Sequence, residues 1–272
     1  LPGLVAGLGE HLEPGGSAVM LGNWEHHHTS PGTGDAPDLS SDLATDSTSD
    51  PDAAGPSWRN AVAAWIPEGL DAWVIQREVQ DPVEYATMWL RDGGLTPERD
   101  AAGFDAALGS WIGDFEARGV EGIGFGYLIV HRPERPREPW RLLEEVTTSG
   151  QGALGSHVAD VLAVRELLAG FDDDAVAALH PILTPDVTEE RHLVPGAAEP
   201  TVILLRQGGG LGRAVRASTA VAALIGVADG ELSVGQIASA VAALTGEDAI
   251  AVRVEMIEAT RRLLAEGFLT ID

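Results

Sequence analysis

Apolar positions recur along the chain at two spacings, and the switches between them lay out most of its elements. Leu1, Leu4, Val5, Leu8 and Leu12 follow helical spacing, Pro14-Gly15-Gly16 stops that helix, and Ser17 to Leu21 is a short apolar run of strand length. A helix feeding a strand of continuous apolar sequence belongs to a doubly wound α/β sheet, where strands are covered on both faces. The chain starts inside that helix with neither Met nor a cap, so earlier βα units are expected upstream. Trp58, Val62 and Trp65 mark a second helix that closes at Pro67-Glu68-Gly69. Leu70 to Val79 is the next strand, with Ala72-Trp73-Val74-Ile75 as its buried middle. Asp81-Pro82-Val83-Glu84 combines an N-cap acid, Pro at the first helical position and a second acid in the first turn, which starts a helix. Tyr85, Met88 and Trp89 lie on one face of it, and Gly93-Gly94 ends it. Thr96-Pro97-Glu98 opens a further helix by the same device, running through Phe104, Leu108, Trp111, Ile112 and Phe115 to Arg118, with Gly119 as C-cap.

Glu121-Gly122-Ile123-Gly124-Phe125-Gly126 has the spelling of a nucleotide-cofactor loop. Such a loop leaves a strand and enters a helix whose N-terminus faces the ligand. Here a helix precedes it and the strand Tyr127-Leu128-Ile129-Val130 follows, so the glycines are expected inside a strand that a neighbour approaches closely. His131 to Arg141, with three prolines and four arginines, is expected to mark a domain boundary and a solvated linker.

Beyond it, Arg141 to Thr148 is a candidate strand. Ser156 is expected to cap a helix through Val158, Val161, Leu162, Leu167 and Leu168, and Asp172-Asp173-Asp174 precedes a shorter one from Ala175 to Leu183. Val187 to Val194 and Thr201 to Arg206 read as strands. Gly208-Gly209-Gly210-Leu211-Gly212 has no Lys to make a phosphate loop, because the chain has none, and reads as a flexible hairpin tip leading to Arg213-Ala214-Val215-Arg216. Three helices then follow, built on Val221, Leu224 and Ile225, on Ile237, Val241 and Leu244 after Ser233, and on Val252, Met256, Ile257, Leu263 and Leu264, before a closing strand Phe268 to Ile271. Three short helices and an adjoining strand are similar to a winged-helix unit. Its second helix offers only Gln236 and Ser239 where a DNA-reading helix should carry Arg, Asn or Gln, so protein contact is favoured there.

The run HLEPGGSAVMLGNWEH, followed after an interruption by WRNAVAAWIPEGLDAWVIQREVQDPVEYATMWLRDGG, resembles the second half of a class I S-adenosylmethionine-dependent methyltransferase. More narrowly it is similar to actinobacterial proteins with a "methyltransferase small" domain, relatives of the HemK-type and ribosomal-RNA guanine N-methyltransferases. The resemblance spans residues 1–132 and implies a Rossmann-like fold, S-adenosylmethionine as cofactor, and methyl transfer to a nitrogen on RNA, DNA or protein. In that family an acidic-Gly-x-Gly-x-Gly turn binds the cofactor and Asn-Pro-Pro-Tyr holds the target nitrogen. Neither occurs here in its place, so both would lie upstream, no catalytic or cofactor-binding residue is carried over, and the fragment alone is expected to be inactive. The expected organisation is residues 1–132 as the far half of the methyltransferase domain, with 26–56 as a disordered loop, an α+β region at 133–217 and the winged-helix-like unit at 218–272. A non-catalytic winged-helix module binding nucleic acid or a protein is the alternative.

Charge narrows the partners. The formal net charge is −25, from 42 acidic and 17 basic residues, and every basic residue is Arg. Such a chain repels phosphate backbones on average, so nucleic-acid contact needs a local cluster; Arg206, Arg213 and Arg216 around the glycine run are the candidates. The absence of Cys excludes disulfides and thiolate chemistry. No stretch of about 18 apolar residues or signal-peptide pattern occurs, so a cytoplasmic protein without membrane contact is expected. His26-His27-His28 is read as part of the solvated loop rather than as a metal site, because adjacent histidines in extended chain do not converge on one ion. The substrate-pocket candidates are Asn23, Trp24 and Glu25 past the end of the first strand, where open α/β sheets bind ligands, with Arg77 and Glu78 at the end of the next.

Overall fold

The computed structural model describes residues 1–27 and 57–271. The expected loop therefore lies almost wholly outside the described residues. The chain is a mixed α/β protein and divides into two compact units, Leu1–Thr147 and Thr148–Asp272.

The first unit runs α1 (Pro2–His11), β1 (Ser17–His27), α2 (Trp58–Ala63), β2 (Asp71–Gln80), α3 (Pro82–Asp92), α4 (Ala101–Arg118), β3 (Val120–His131) and β4 (Arg141–Glu145). Its sheet has the order β1-β3-β2-β4. β3 is antiparallel to both β1 and β2, and β2 is parallel to β4. β1 and β2 therefore run the same way, with a reversed strand filling the space between them. One face packs α1 and α2 through Val5, Leu8, Trp58, Val62, Ile66, Trp24, Val74, Leu128 and Val130. The other packs α3 and α4 through Ala86, Phe115, Val120 and Ile123.

Local chemistry explains most boundaries. Asp81 caps α3, accepting from Val83 N at 2.7 Å with Pro82 behind it, and Gly119 ends α4 in the left-handed conformation at φ 66°. The second helix of this pair starts later than expected. Thr96 to Asp100 folds as a turn instead, and Asp100 is the cap, accepting from Gly103 N at 2.9 Å. β1 is longer than its apolar run, because Asn23, Trp24, Glu25 and His26 each find a side-chain partner and so extend the strand through polar sequence.

The Pro- and Arg-rich run from 132 to 141 lies inside the first unit and is tied to it. Arg132 donates to Leu12 O at 2.7 Å and Gly9 O at 3.2 Å, Arg141 donates to Ile66 O and Pro67 O, and Arg137 grips Asp71 with both ends of its guanidinium at 2.8 and 2.6 Å. Asp71 is fully buried and also accepts from Trp140 N. A buried carboxylate needs such partners, since removing one typically costs about 3–5 kcal/mol. The fixed φ of the prolines lowers the cost of holding the run extended.

The second unit runs α5 (Leu154–Leu168), α6 (Asp173–Ala177), β5 (Ile182–Leu183), β6 (Val187–His192), β7 (Val202–Gln207), β8 (Ala214–Ala217), α7 (Thr219–Gly226), α8 (Val234–Thr245), α9 (Ala249–Glu266) and β9 (Leu269–Thr270). β6, β7 and β8 form an antiparallel sheet, and β5 pairs with β9. Leu205, Val221, Ile225, Ile257, Leu263, Leu264 and Phe268 form one core, while Leu224, Val234, Ile237, Val241, Val252 and Met256 form a second between α7, α8 and α9. Ser233 and Gln236 close a reciprocal capping box on α8. Ser156 does not cap α5: Ala153 holds the cap position, and Ser156 Oγ donates to its carbonyl. The helix after the acidic triplet is shorter than expected, because Ile182 and Leu183 leave it to pair with β9.

Candidate functional site

The carboxyl end of β1 carries a different group of side chains on each face of the sheet. On the side of α2, Trp24 Nε1 donates to Gln76 Oε1 at 2.6 Å, and His26 Nε2 lies 2.8 Å from the same oxygen. An amide oxygen only accepts, so His26 Nε2 carries a proton and, in the neutral ring, Nδ1 is the acceptor. Trp24 stacks on Trp58 with centroids 5.3 Å apart and planes 15° apart, and His26 tilts against the same indole at 6.1 Å. Trp58 donates to Glu145 Oε1, and the Arg59 guanidinium covers its ring at 4.9 Å. Gly124 makes this arrangement possible, because a Cβ there would sit 2.3 Å from Gln76 Oε1 and 2.4 Å from Trp24 Nε1.

On the side of α3 and α4, Asn23 Nδ2 donates to Tyr85 Oη at 3.0 Å. Tyr85 is the hub of an aromatic cluster, with Trp89, Trp111, Phe115 and Phe125 at centroid distances of 6.1, 6.0, 6.1 and 5.7 Å. Beside it, Glu25 pairs with Arg118, which also donates to Asp114 at 2.8 Å. These hydrogen bonds, first to Glu25 and then to Asp114, raise the Arg118 pKa above the ordinary arginine value.

The five residues expected to line a pocket are thus distributed rather than gathered. Asn23 and Glu25 share one face and Trp24 takes the other, as strand alternation requires. Arg77 is the extra residue of a β-bulge, since the register steps from Gln76↔Gly126 to Glu78↔Phe125. Glu78 accepts from Gln80 Nε2 at 3.1 Å. Gln76, His26, Tyr85, Trp89 and Trp111 were not anticipated as site residues. Tyr85 and Trp89 do stand four apart on one helix, the spacing that places side chains together. His26 belongs to a strand, contrary to the expectation of a solvated loop. His27 leans the other way, toward Arg118 O at 3.1 Å and Glu25 at 3.4 Å, so the two described histidines of the triplet do not converge.

In the second unit, the outer face of β7 and β8 carries Arg206 and Arg216, each beside a residue of the facing strand. Arg213 precedes β8 and acts on His157. Arg206 is held by Glu190 at 2.7 Å, which raises the arginine pKa and lowers that of the carboxylate. The glycine hairpin is anchored rather than loose. Gly209 N donates to Asp186 and Gly208 N to Asp186 O, while Gln151 N donates to Gly208 O and Gly150 N to Gly210 O. His157 packs under Gly210 and Gly267, where an added Cβ would lie 2.7 and 2.9 Å from its ring. Burial, reinforced by Arg213, holds the His157 pKa below its ordinary value.

No protein-family model matches the chain, and no curated protein matches it. Among the described residues, no helix is long and apolar enough to cross a membrane.

Proposed function

We propose that this chain is the far half of an S-adenosylmethionine-dependent N-methyltransferase domain followed by an accessory domain, and that the first unit supplies part of the acceptor wall. The outer edge of β1 carries this reading. Among the described residues that edge has no strand partner along Ser17–His27, and on one of its faces Val19 and Leu21 are 61 % and 76 % exposed. Leu4 of α1 is 63 % exposed as well, so the apolar stripe of that helix is wider than what this unit covers. A long apolar edge strand is an aggregation hazard that folded proteins cover. A parallel strand hydrogen-bonded to β1, with its helix over Val19 and Leu21, would extend this sheet in doubly wound fashion and bring a cofactor turn to the carboxyl end of β1. Asn23 and Tyr85 would then face the acceptor, with the buried Trp24–Gln76 pair holding the strand end from the other face of the sheet. Transfer of a methyl group to a nitrogen rests chiefly on positioning the lone pair against the methyl carbon, a task for rigid hydrogen-bonded side chains such as these.

The test is calorimetric titration of S-adenosylmethionine into residues 1–272 and into a chain extended by the residues encoded upstream. Binding by the extended chain alone supports the proposal. An upstream frame that is closed, or an extended chain that binds no cofactor, overturns it.

The second unit suits protein contact better than nucleic acid. Leu244, Ile250 and Val254 are exposed at the junction of α8 and α9, whereas Arg206 is neutralised by Glu190. We read α7, α8 and α9 with the β5–β9 pair as a winged-helix-like contact module. Loss of a pulled-down partner from the L244D/I250D variant would support this; unchanged capture would remove it.

A further inference from the structure

Outside the sheet, α3 and α4 present an aromatic surface of unusual charge. Trp89 and Trp111 are 43 % and 37 % exposed, although each packs on Tyr85. Large aromatics normally bury most of their area, so two neighbouring indoles left in solvent mark a contact surface. The segment from 81 to 118 contains eight acids, Asp81, Glu84, Asp92, Glu98, Asp100, Asp105, Asp114 and Glu116, against three arginines. Two of those arginines are already engaged, Arg118 with Asp114 and Glu25, and Arg91 with Glu98. Electron-rich rings carried on so acidic a segment attract cations from both sources at once, through the ring quadrupole and through Coulomb attraction.

We propose that the α3–α4 face docks a basic segment of a partner protein, its Arg or Lys side chains lying over Trp89 and Trp111. The charge excludes the other obvious occupants. A phosphate backbone meets repulsion from the acidic segment, and a second copy of a chain carrying −25 meets its own sign. Tyr85 links the surface to the sheet, because its hydroxyl accepts from Asn23 at the carboxyl end of β1. A segment held across the two indoles is thereby led toward that end. The proposal does not depend on methyl transfer, and binding alone tests it.

The experiment is isothermal titration of the full chain with an arginine-rich peptide, an acidic peptide of equal length and a single-stranded RNA. The arginine-rich peptide is expected to bind. W89A/W111A should weaken it about tenfold, the combined effect of two exposed cation–π contacts. If that variant loses helical circular dichroism, W89L/W111L keeps apolar volume without the indole quadrupole and should show the same loss. E84Q/D92N, at exposed positions, should weaken binding several-fold and flatten its salt dependence. Equal affinity of wild type and both tryptophan variants would mean that net charge alone attracts the peptide and would overturn the proposal. So would tighter binding of the RNA.

Discussion

Two glycine-rich stretches of this chain are spelled like ligand loops, and they use glycine for different reasons. In β3, Gly122, Gly124 and Gly126 have extended backbone that any residue could adopt, and it is the missing side chain that matters. A Cβ on Gly126 would lie 1.9 Å from the Ile75 carbonyl oxygen, where β2 bulges toward it. In the hairpin between β7 and β8, Gly210 and Gly212 have φ of 55° and 64°, and here it is backbone freedom that matters first. Neither stretch opens a helix, so neither makes the row of N–H groups that grips a phosphate. Glycine spacing without its flanking elements is a statement about local crowding or local chirality, and only afterwards about ligands.

Substitutions separate the two roles. Gly126→Ala should be the most damaging, costing about 3 kcal/mol or more, because the obstacle is backbone on a central strand and cannot step aside. Urea denaturation of the variant would measure it, and a loss under about 1 kcal/mol would show that the strands simply part. Gly210→Ala should cost about 2 kcal/mol, combining left-handed strain with contact to the His157 ring, which can rotate. Relief of part of that cost in a Gly210→Ala, His157→Ala double variant would separate strain from contact. Acidity should act on the hairpin alone. His157 is held below its ordinary value of 6.5, so the unfolded chain takes up a proton first, and stability should fall as pH drops below that value. His157→Gln should flatten this profile between neutral pH and about pH 5 without altering the response of Gly126→Ala; a wild-type profile already flat there would contradict the burial of the ring. The smallest effect serves as the control. Gly109 in α4 has open space where its Cβ would be and ordinary helical backbone, so Gly109→Ala should stabilise by about 0.5–1 kcal/mol in thermal melts.

The same distinction explains how much of the molecule was legible in its sequence. The helix α3 could be read from Asp81-Pro82, the end of α4 from Gly119 and the start of α8 from Ser233, because each signal acts within one turn. The glycines of β3 could be assigned to a strand from the order of their neighbours alone. Features set by distant partners were not legible. Strand β1 continues to His27 because Gln76, Tyr85 and Arg118 satisfy its polar end, residues between 50 and 93 positions away. The run rich in Pro and Arg was expected to separate domains, whereas its arginines find carbonyls and a buried carboxylate within the first unit. Of the candidate site, Asn23, Trp24 and Glu25 were expected together past the end of a strand, whereas they lie within β1 and alternate between its faces, and the aromatic hub at Tyr85 depends on two helices meeting. Helical spacing placed Tyr85 and Trp89 together and could not bring in Trp111.

Arg132 sets an order of events for the growing chain. Its guanidinium accepts the role of cap for the last carbonyls of α1, at Gly9 and Leu12, while its own backbone exchanges hydrogen bonds with Gly15 and Gly16. The partners stand more than 110 residues apart, so the end of α1 is tied down only after β3, the last long strand of its unit, has been made. A stall in translation anywhere between them leaves α1 frayed, and the opening of this unit is completed by its close.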